Sequence, residues 1–225
     1  HDLQYYNPYT PEMLTDFSRS VHAVKARVYR PDSPPEVIGY QGIPGSFSEE
    51  AARNYMKEEK LGDIDTKPCL TSRNVMESLY TYEIDRGIIA MENARGGVVH
   101  ESIHALAKAR CKVRSMFHIQ VNQCLITKAG VDPKEISEVR SHPQALKQCS
   151  RFLRENFTEV PHIEAEDTAE AARKLHRGEY SDTTAVIAPA RAAELYELNV
   201  SQFGIQDLKD NKTLFLVVER TGTSI

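Results

Sequence analysis

Short apolar runs alternate with amphipathic stretches of helical spacing over most of the chain. Five runs have the length of a β-strand, at 37–40, 87–91, 137–140, 184–188 and 214–218. Six stretches are candidate helices, at 48–59, 73–85, 100–109, 143–156, 169–177 and 189–196. Strands that alternate with helices predict βαβ units around a mainly parallel sheet, so we expect an α/β fold.

One stretch does not fit a single sheet. Residues 112–127 alternate loosely between apolar and polar positions, and they are longer than a common strand. We therefore expect the chain to leave one sheet here and enter another. The predicted architecture has two α/β lobes with a ligand cleft between them: 37–114 with 189–220 in the first lobe, and 115–188 in the second.

Residues 1–36 have a different pattern. A helix-start signal at 10–12 precedes apolar residues at helical spacing, namely Met13, Phe17, Val21, Val24 and Val28. The proline-rich stretch 31–35 should end this helix in extended chain. The helix either packs on the main body or belongs to a preceding domain or an oligomer contact, and the pattern does not decide between these.

The composition narrows the class of protein. Of 225 residues, 40% are hydrophobic and 27% are charged, as in globular proteins, and no apolar run approaches the roughly 18 residues of a membrane span. Lys and Arg number 28 against 32 for Asp and Glu, so there is no basic footprint for nucleic acid. The four cysteines are far apart with no C-x-x-C pair, which favours a cytoplasmic protein with buried thiols.

A glycine-rich turn at 39–45 leads into the first predicted helix of the main body. Ser46 and Glu49 have the spacing of a capping box, and the glycines would let an anion approach backbone N–H groups at the helix start. The turn has neither the lysine of a P-loop nor the spacing of a dinucleotide fingerprint. An ordinary capped turn explains this pattern about as well as a ligand site.

Glu92 and Asn93 follow the second predicted strand and precede the glycines at 96 and 97. Ligands of open α/β sheets bind at the carboxyl ends of strands, which is where these two side chains fall. A glycine turn capped by Asn93 is the alternative interpretation.

The segment 140–149 offers a third group of polar residues. Ser141 is predicted to cap the following helix, and Gln148 lies about two turns further on roughly the same face. A hydroxyl, an amide and helix N–H groups at this place could bind a carboxylate. His142 is adjacent to Ser141, but neighbours on a helix do not face each other, so a hydrolase dyad is improbable.

Two other features carry little chemistry by themselves. Thr213 is simply a β-favoured residue at a strand start. His100 and His104 have i, i+4 spacing but no evident third ligand, which favours a surface helix face over a metal site.

Taken in order, these segments resemble the catalytic domain of prephenate dehydratases, which convert prephenate to phenylpyruvate. Six pieces between 37 and 219 carry the resemblance: G-x-P-G-S-F-S-E at 42–49, Glu92-Asn93 with Gly97, 141–149, Asp167-Thr168-Ala169 with Ala171-Ala172, 185–188, and Asn211-Lys212-Thr213. The resemblance implies two lobes like those of periplasmic binding proteins, a shared cleft and a homodimer.

The resemblance also implies roles for single residues. Thr213 becomes the catalytic proton donor to the departing hydroxyl. Six residues are expected to bind prephenate or arogenate: Ser46, Glu92, Asn93, Ser141, Gln148 and Phe215. No metal or organic cofactor is expected, because loss of water and CO₂ makes the ring aromatic and supplies the driving force.

The chain departs from the family pattern at the signature Thr-Arg-Phe, which reads Thr213-Leu214-Phe215. The arginine of the family signature, absent here, would bind a substrate carboxylate through its guanidinium, and Arg95 or Arg140 could replace it. No regulatory ACT domain is visible, and Ala94 stands where the family has serine. Two alternatives stay open beside the dehydratase: a decarboxylase of prephenate or arogenate that keeps the hydroxyl, and a non-catalytic sensor of a carboxylate ligand.

Overall fold

The structure of the protein is a computed structural model, which describes residues 34–221. The helix expected near 13–28 and most of the proline-rich stretch lie outside the described residues. Within 34–221, no helix has both the length and the apolar character that crossing a membrane requires.

The first sheet has the strand order β2-β1-β3-β11-β5, and the short β4 pairs with β3. Its strands are β1 (Val37–Tyr40), β2 (Asp65–Pro68), β3 (Arg86–Asn93), β4 (Gly97–Val98), β5 (Cys111–Gln120) and β11 (Lys212–Arg220). Strand β1 runs parallel to β2 and β3, whereas β11 runs antiparallel to both β3 and β5. The sheet is mixed, so the expectation of a mainly parallel sheet is wrong.

The second sheet has the order β10-β6-β9-β7-β8. Its strands are β6 (Cys124–Thr127), β7 (Glu138–Ser141), β8 (His162–Glu164), β9 (Thr184–Ala188) and β10 (Asn199–Gln202). Strand β7 is parallel to its two neighbours, and β6 is antiparallel to β9 and β10. Each sheet therefore has three neighbouring parallel strands at one side, β2-β1-β3 in the first sheet and β9-β7-β8 in the second. Antiparallel pairing occurs on the other side, where the chain crosses between the sheets.

Seven α-helices flank the sheets within the described residues: α1 (Phe47–Glu58), α2 (Ser72–Tyr80), α3 (His100–Lys108), α4 (Pro143–Gln148), α5 (Ser150–Asn156), α6 (Thr168–His176) and α7 (Ala190–Leu195). The helix predicted at 143–156 is thus two helices. The second begins anew because the Asp207 carboxylate accepts hydrogen bonds from the Ser150 hydroxyl and the Arg151 backbone N–H, as a capping side chain would.

The chain crosses between the sheets twice, and the first crossing lies within 112–127, where the sequence predicts that the chain leaves one sheet and enters another. Strand β5 ends in the first sheet at Gln120, and β6 begins in the second at Cys124. The return segment, 203–211, lies beside this crossing: Val121 N–H donates to the Asn211 carbonyl at 2.7 Å, and Ile205 N–H donates to the Gln123 carbonyl at 2.9 Å. These bonds fix the hinge between the lobes.

The strands divide the chain differently from the expected lobe bounds at two places. All of β5 (Cys111–Gln120) belongs to the first sheet, although 115–120 was expected in the second lobe. Helix α7 (Ala190–Leu195) packs in the core of the second lobe and strand β10 (Asn199–Gln202) belongs to the second sheet, although 189–220 was expected in the first lobe. Both differences arise because the antiparallel crossing strands extend the sheet that they leave.

Each lobe has its own core. In the first, Ile38, Tyr40, Ile88, Phe215 and Val217 are buried between the sheet and α1. In the second, all five residues of β9 are buried, with helices covering both faces of the strand. Among the four free thiols, Cys69, Cys124 and Cys149 are buried and Cys111 is half-buried.

Candidate functional site

The carboxyl ends of β1 and β3 point to the same edge of the sheet, because the two strands are parallel neighbours; β1 ends at Tyr40, opposite Ile88, and β3 continues to Asn93. Strand β11 begins at this same edge, since it runs antiparallel to β3. The edge therefore brings Asn93 at the end of β3 against Thr213 near the start of β11, and the turn after β1 bonds to β3 three to five residues earlier, at Ile88 and Ala90. This topology brings Asn93 and Thr213 into contact, although they are 120 residues apart in the sequence.

Asn93 and Thr213 form a hydrogen-bonded pair with a defined direction. They are directly opposite each other in the register, and the Asn93 amide Nδ2 donates to Thr213 Oγ1 at 2.8 Å. The Asn93 carbonyl Oδ1 accepts from the backbone N–H groups of Arg95 and Gly96, each at 2.9 Å. These two donors fix the orientation of the amide. Because Thr213 Oγ1 accepts from Asn93, its own proton remains free to be donated elsewhere.

Asn211 extends this pair into the hinge. Its side chain is 1% exposed, and its Oδ1 accepts a second hydrogen bond from Asn93 Nδ2 at 3.3 Å. The Asn211 Nδ2 group is buried and has no hydrogen-bond partner among residues 34–221. A buried donor without a partner is costly unless a ligand or water satisfies it. Sequence reasoning counted Asn211 in a family motif but did not include it among the site residues.

Glu92 and Leu214 lie on the opposite face of the sheet from Thr213. They are paired in the register one position away from the Thr213–Asn93 pair, and successive side chains of a strand point to opposite faces. Glu92 is exposed. The side chain at position 214 therefore leaves the strand on the face opposite the Thr213 hydroxyl, next to Glu92.

Phe215 lies on the same face as Thr213, two residues further along β11, but it is 1% exposed. Its ring stacks on that of Phe117, with the centroids 6.1 Å apart, within the first core. Phe215 thus supports the strand that carries Thr213 and has no surface for a substrate in this structure.

The turn after β1 has the predicted cap in a modified form. Ser46 is the N-cap of α1, and its Oγ accepts from the Glu49 N–H at 3.4 Å. In a capping box the Glu49 carboxylate would return to the Ser46 N–H. It instead accepts from the Gly45 N–H at 2.7 Å. Gly42 and Gly45 have φ values of +102° and +85°, which only glycine adopts without strain.

Ser141 is not the cap of α4. The N-cap is His142, whose Nδ1 accepts from the Gln144 N–H at 3.2 Å. Ser141 is the last residue of β7; it is fully buried and donates its hydroxyl to the Ile187 carbonyl at 2.6 Å. The prediction failed because the strand extends one residue further than expected. Ser141 therefore holds β7 to β9 and does not share a helix face with Gln148.

Gln148 is fixed to the crossing segments. Its Oε1 accepts from Gln123 Nε2 at 3.1 Å, and its backbone carbonyl accepts from the Asp207 N–H at 2.8 Å. Its side chain can then offer N–H donors to a ligand. The two lobes also approach each other at α4, because a Cβ placed on Gly96 would lie 3.0 Å from Gln144 Nε2.

The two arginines that could replace a missing guanidinium differ in their surroundings. Arg140 binds the Glu138 carboxylate through two hydrogen bonds of 2.7 and 3.2 Å and lies over the Tyr180 ring. Arg95 is exposed, two residues beyond Asn93, and no carboxylate within the described part of the chain forms an ion pair with it. Arg95 is therefore the guanidinium near this edge that a ligand carboxylate can engage.

Glu50 on α1 has an unusual environment. Burial, together with the nearby Glu194 carboxylate of the second lobe, raises the pKa of Glu50 to about 6.

Residues 34–221 contain no group of three or more His, Cys, Asp or Glu side chains arranged to hold a metal ion. His100 and His104 therefore have no third ligand among these residues.

We expect Glu50→Gln to stabilise the protein at alkaline pH. The raised pKa means that the folded state favours the protonated carboxyl, so stability is fully present below about pH 4.5 and is lost as the pH rises through 6. A glutamine mimics the protonated form. It should raise the unfolding free energy by about 1–2 kcal/mol at pH 8, or the Tm by roughly 3–8 °C.

Thermal unfolding at pH 4.5 and pH 8 checks this prediction, with Glu58→Gln, an exposed position of the same helix, as the control. The control should change the Tm by no more than about 1 °C at either pH. A gain in Tm for Glu50→Gln that is equal at both pH values would contradict the assignment of a raised pKa.

Comparisons with known proteins give a consistent result. The family model described as Prephenate dehydratase matches residues 38–223. Arogenate dehydratase/prephenate dehydratase 1, chloroplastic, from Arabidopsis thaliana is 35% identical over 183 residues, which cover 81% of this chain and 45% of that protein. The chain thus spans about half the length of the curated relatives that it matches.

Two solved structures show the same fold. A prephenate dehydratase from Arthrobacter aurescens in complex with L-Phe superimposes with a TM-score of 0.73 and 24% identity, over 83% of this chain and 61% of that chain. GqqA, described as a quorum quenching acylase, superimposes with a TM-score of 0.73 and 24% identity, over 84% of this chain and 66% of that chain. At such identities the likeness concerns the fold alone, and it agrees with the two-lobed α/β architecture.

Proposed function

The chain belongs to the prephenate dehydratase family, and from this premise we propose that it is a lyase acting on prephenate or arogenate. The reaction removes the ring hydroxyl as water and the ring carboxylate as CO₂. Prephenate then gives phenylpyruvate, and arogenate gives phenylalanine. This places the protein in aromatic amino-acid biosynthesis.

The reaction requires the protein to bind the substrate and to donate hydrogen bonds to it. As the C–C bond to the ring carboxylate breaks, its electron pair enters the ring and displaces the hydroxyl, which needs a proton to leave as water. Aromatisation supplies the driving force. Orientation of the substrate and stabilisation of the departing oxygen are then the contributions that the protein must make. No step in this proposal uses a metal or an organic cofactor.

The observation that carries the proposal is the direction of the Asn93–Thr213 hydrogen bond. Because Nδ2 of Asn93 donates to Thr213 Oγ1 at 2.8 Å, the Thr213 proton is available to the departing oxygen. A neutral hydroxyl is a weak acid, so Thr213 acts by a hydrogen bond that strengthens as charge develops on that oxygen. Asn211 Nδ2, buried without a partner among the described residues, offers a further donor beside it.

Groups of both lobes are proposed to hold the substrate. Arg95 in the first lobe binds one carboxylate, and the Gln148 amide at the hinge donates to the substrate from the other side. Glu92, Ser141 and Phe215 are not proposed as substrate contacts, because Glu92 faces the other side of the sheet and the other two are buried. Ser46 contributes by fixing the start of α1.

The test is a direct assay at neutral pH with prephenate and, in parallel, with arogenate. Phenylpyruvate is followed by its absorbance in alkali, phenylalanine by chromatography, and CO₂ release is measured in both reactions. Product formed well above the spontaneous rate supports the dehydratase. CO₂ without an aromatic product would favour the decarboxylase, and saturable binding without turnover would favour the sensor.

We do not propose either alternative on the ground of the altered signature residue. Leu214 was the feature that pointed to weakened substrate binding, but its side chain lies on the face opposite Thr213. The homodimer implied by the family resemblance and the cytoplasmic location suggested by the cysteines stay predictions, and the plant relative above is described as chloroplastic.

We expect Arg95→Met to raise KM by about 10–100-fold while kcat changes by less than about threefold, because a charge-assisted bond to a carboxylate is lost from binding. The effect should diminish at high ionic strength, since Arg95 is exposed. Steady-state kinetics at two salt concentrations measure it. Arg140→Met is the control, because Arg140 is occupied by Glu138; an equal rise in KM for both variants would contradict the role of Arg95.

A further inference from the structure

The turn before α1 touches the second lobe directly. A Cβ on Gly45 would lie 3.2 Å from the Cα of Ala192 on α7 and 3.4 Å from the Cβ of Ala169 on α6. Gly45 also has a positive φ of +85°, so no other residue fits there without displacing the neighbouring lobe. The contact is separate from the hinge, where the chain crosses between the sheets.

A buried ion pair closes this contact. The Glu49 side chain is 4% exposed, and its Oε1 accepts from Arg191 Nε at 3.0 Å and lies 2.9 Å from Arg191 Nη2. The same oxygen accepts from Arg53 Nε at 2.7 Å, and Oε2 accepts from the Gly45 N–H. Burial alone would raise the pKa of Glu49, but these donors outweigh it and lower the pKa. Glu49 is therefore a fully paired carboxylate.

The two arginines differ in what they connect. Arg53 lies on α1 itself, four residues after Glu49, so its ion pair is internal to the first lobe. Arg191 lies on α7. The two residues that follow it, Ala192 and Ala193, are buried in the core of the second lobe. The Glu49–Arg191 pair consequently joins the lobes, whereas the Glu49–Arg53 pair does not.

The charges around the pair would separate the lobes without Arg191. Arg191 joins two carboxylates of different lobes, since it binds Glu49 on α1 and also Glu194 on α7 at 3.2 Å. Glu50 is the residue after Glu49 on α1. Burial, and after it the Glu194 carboxylate, raises the pKa of Glu50, as repulsion between acids of the two lobes would. With Arg191 removed, Glu49 and Glu194 would lose the cation that they share, and repulsion between the acids of α1 and α7 would favour separation.

We infer that Glu49 and Arg191 are positioning residues that hold the two lobes together and fix the glycine-rich turn beside the site. This inference rests on the proposed function for its kinetic consequence. Thr213 is in the first lobe and Gln148 is at the hinge with the second, so one substrate can engage both only while the lobes are closed. Glu49 and Arg191 touch no substrate and act through this closure.

Loosening the pair should affect substrate binding more than the chemical step. When the competent closed form is only partly populated, the apparent dissociation constant rises by the reciprocal of its population. A saturating substrate restores the closed form. KM should therefore rise while kcat changes little.

The experiment compares Arg191→Met with Arg53→Met, which removes an equal charge from the same carboxylate oxygen within one lobe. Arg191→Met is expected to raise KM for prephenate or arogenate by about tenfold with kcat within about threefold. Arg53→Met should raise KM by no more than about twofold. Arg191→Lys should recover part of the loss, because an ammonium supplies one of the two donors. An equal rise in KM for the two methionine variants would overturn the inference.

Hydrogen exchange gives a second readout that does not depend on activity. In Arg191→Met the amides of 42–46 and 190–195 should exchange faster than in the parent protein, and in Arg53→Met they should not. Equal exchange in both variants would overturn the inference. If the parent protein turns over neither substrate, the proposed function fails, and the exchange difference alone then decides whether Arg191 holds the lobes together.

Discussion

Thr213→Val is expected to lower kcat by about 10²–10⁴-fold, the range over which a positioned proton donor or an oxyanion donor contributes to catalysis. Valine has nearly the shape of threonine and favours strands, so the 7% exposed position on β11 should keep its packing. KM should remain within about threefold, because the carboxylates of the substrate are held by other groups. Rates of product formation at saturating prephenate and arogenate measure the effect.

Two variants separate the loss of the hydroxyl from a loss of stability. Thr213→Ser keeps the hydroxyl and should retain at least about a tenth of the parent kcat, since only a methyl group is lost. Thr127→Val removes a fully buried strand hydroxyl, which bonds to Ser201 at 2.7 Å in the second lobe, and it should leave kcat unchanged. If Thr213→Val kept the parent kcat, Thr213 would have no part in the mechanism.

Much of the fold follows from the apolar runs, because buried strands need several consecutive apolar residues. The buried strand β9 was predicted at its observed bounds, 184–188, for this reason. Three of the four edge strands, β2, β8 and β10, were missed. Strand β2 reads Asp-Thr-Lys-Pro and is largely polar, so its pairing depends on its neighbour β1 and not on its own sequence. The mixed strand directions also depend on long-range pairing that no local pattern contains.

The sequence predicted which strand ends carry the candidate site, but it did not predict which of their side chains are in contact. Asn93 and Thr213 were both singled out, yet their contact depends on the register of two strands 120 residues apart. Ser141 was misplaced because a serine before a proline at a helix start is also compatible with the last residue of a strand. The Glu49–Arg191 pair had no sequence signal, since its partners are 142 residues apart on different lobes.

Asn93 offers the sharpest test of how the Thr213 proton is directed. The Asn93 side chain has one acceptor and one donor group, and each has a fixed task in the structure. Oδ1 accepts from two backbone N–H groups, and Nδ2 donates to Thr213. An aspartate has almost the same shape and preserves the acceptor, but it replaces the donor by a second acceptor. The Thr213 proton would then turn toward the introduced carboxylate.

Asn93→Asp is therefore expected to lower kcat by about 10²–10³-fold, and by more than Asn93→Ala, although aspartate is the closer match in shape. Alanine leaves the Thr213 proton free, whereas the introduced carboxylate binds it. Repulsion of the anionic substrate should also raise KM, so kcat is measured at saturation. Activity of Asn93→Asp should recover as the pH falls and the new carboxyl becomes protonated, because it can then donate to Thr213 again. If Asn93→Ala had the lower kcat at every pH, the prediction would be wrong and Asn93 would have a structural role. Only the direction of the hydrogen bond predicts a lower kcat for aspartate, which has nearly the shape of asparagine, than for alanine.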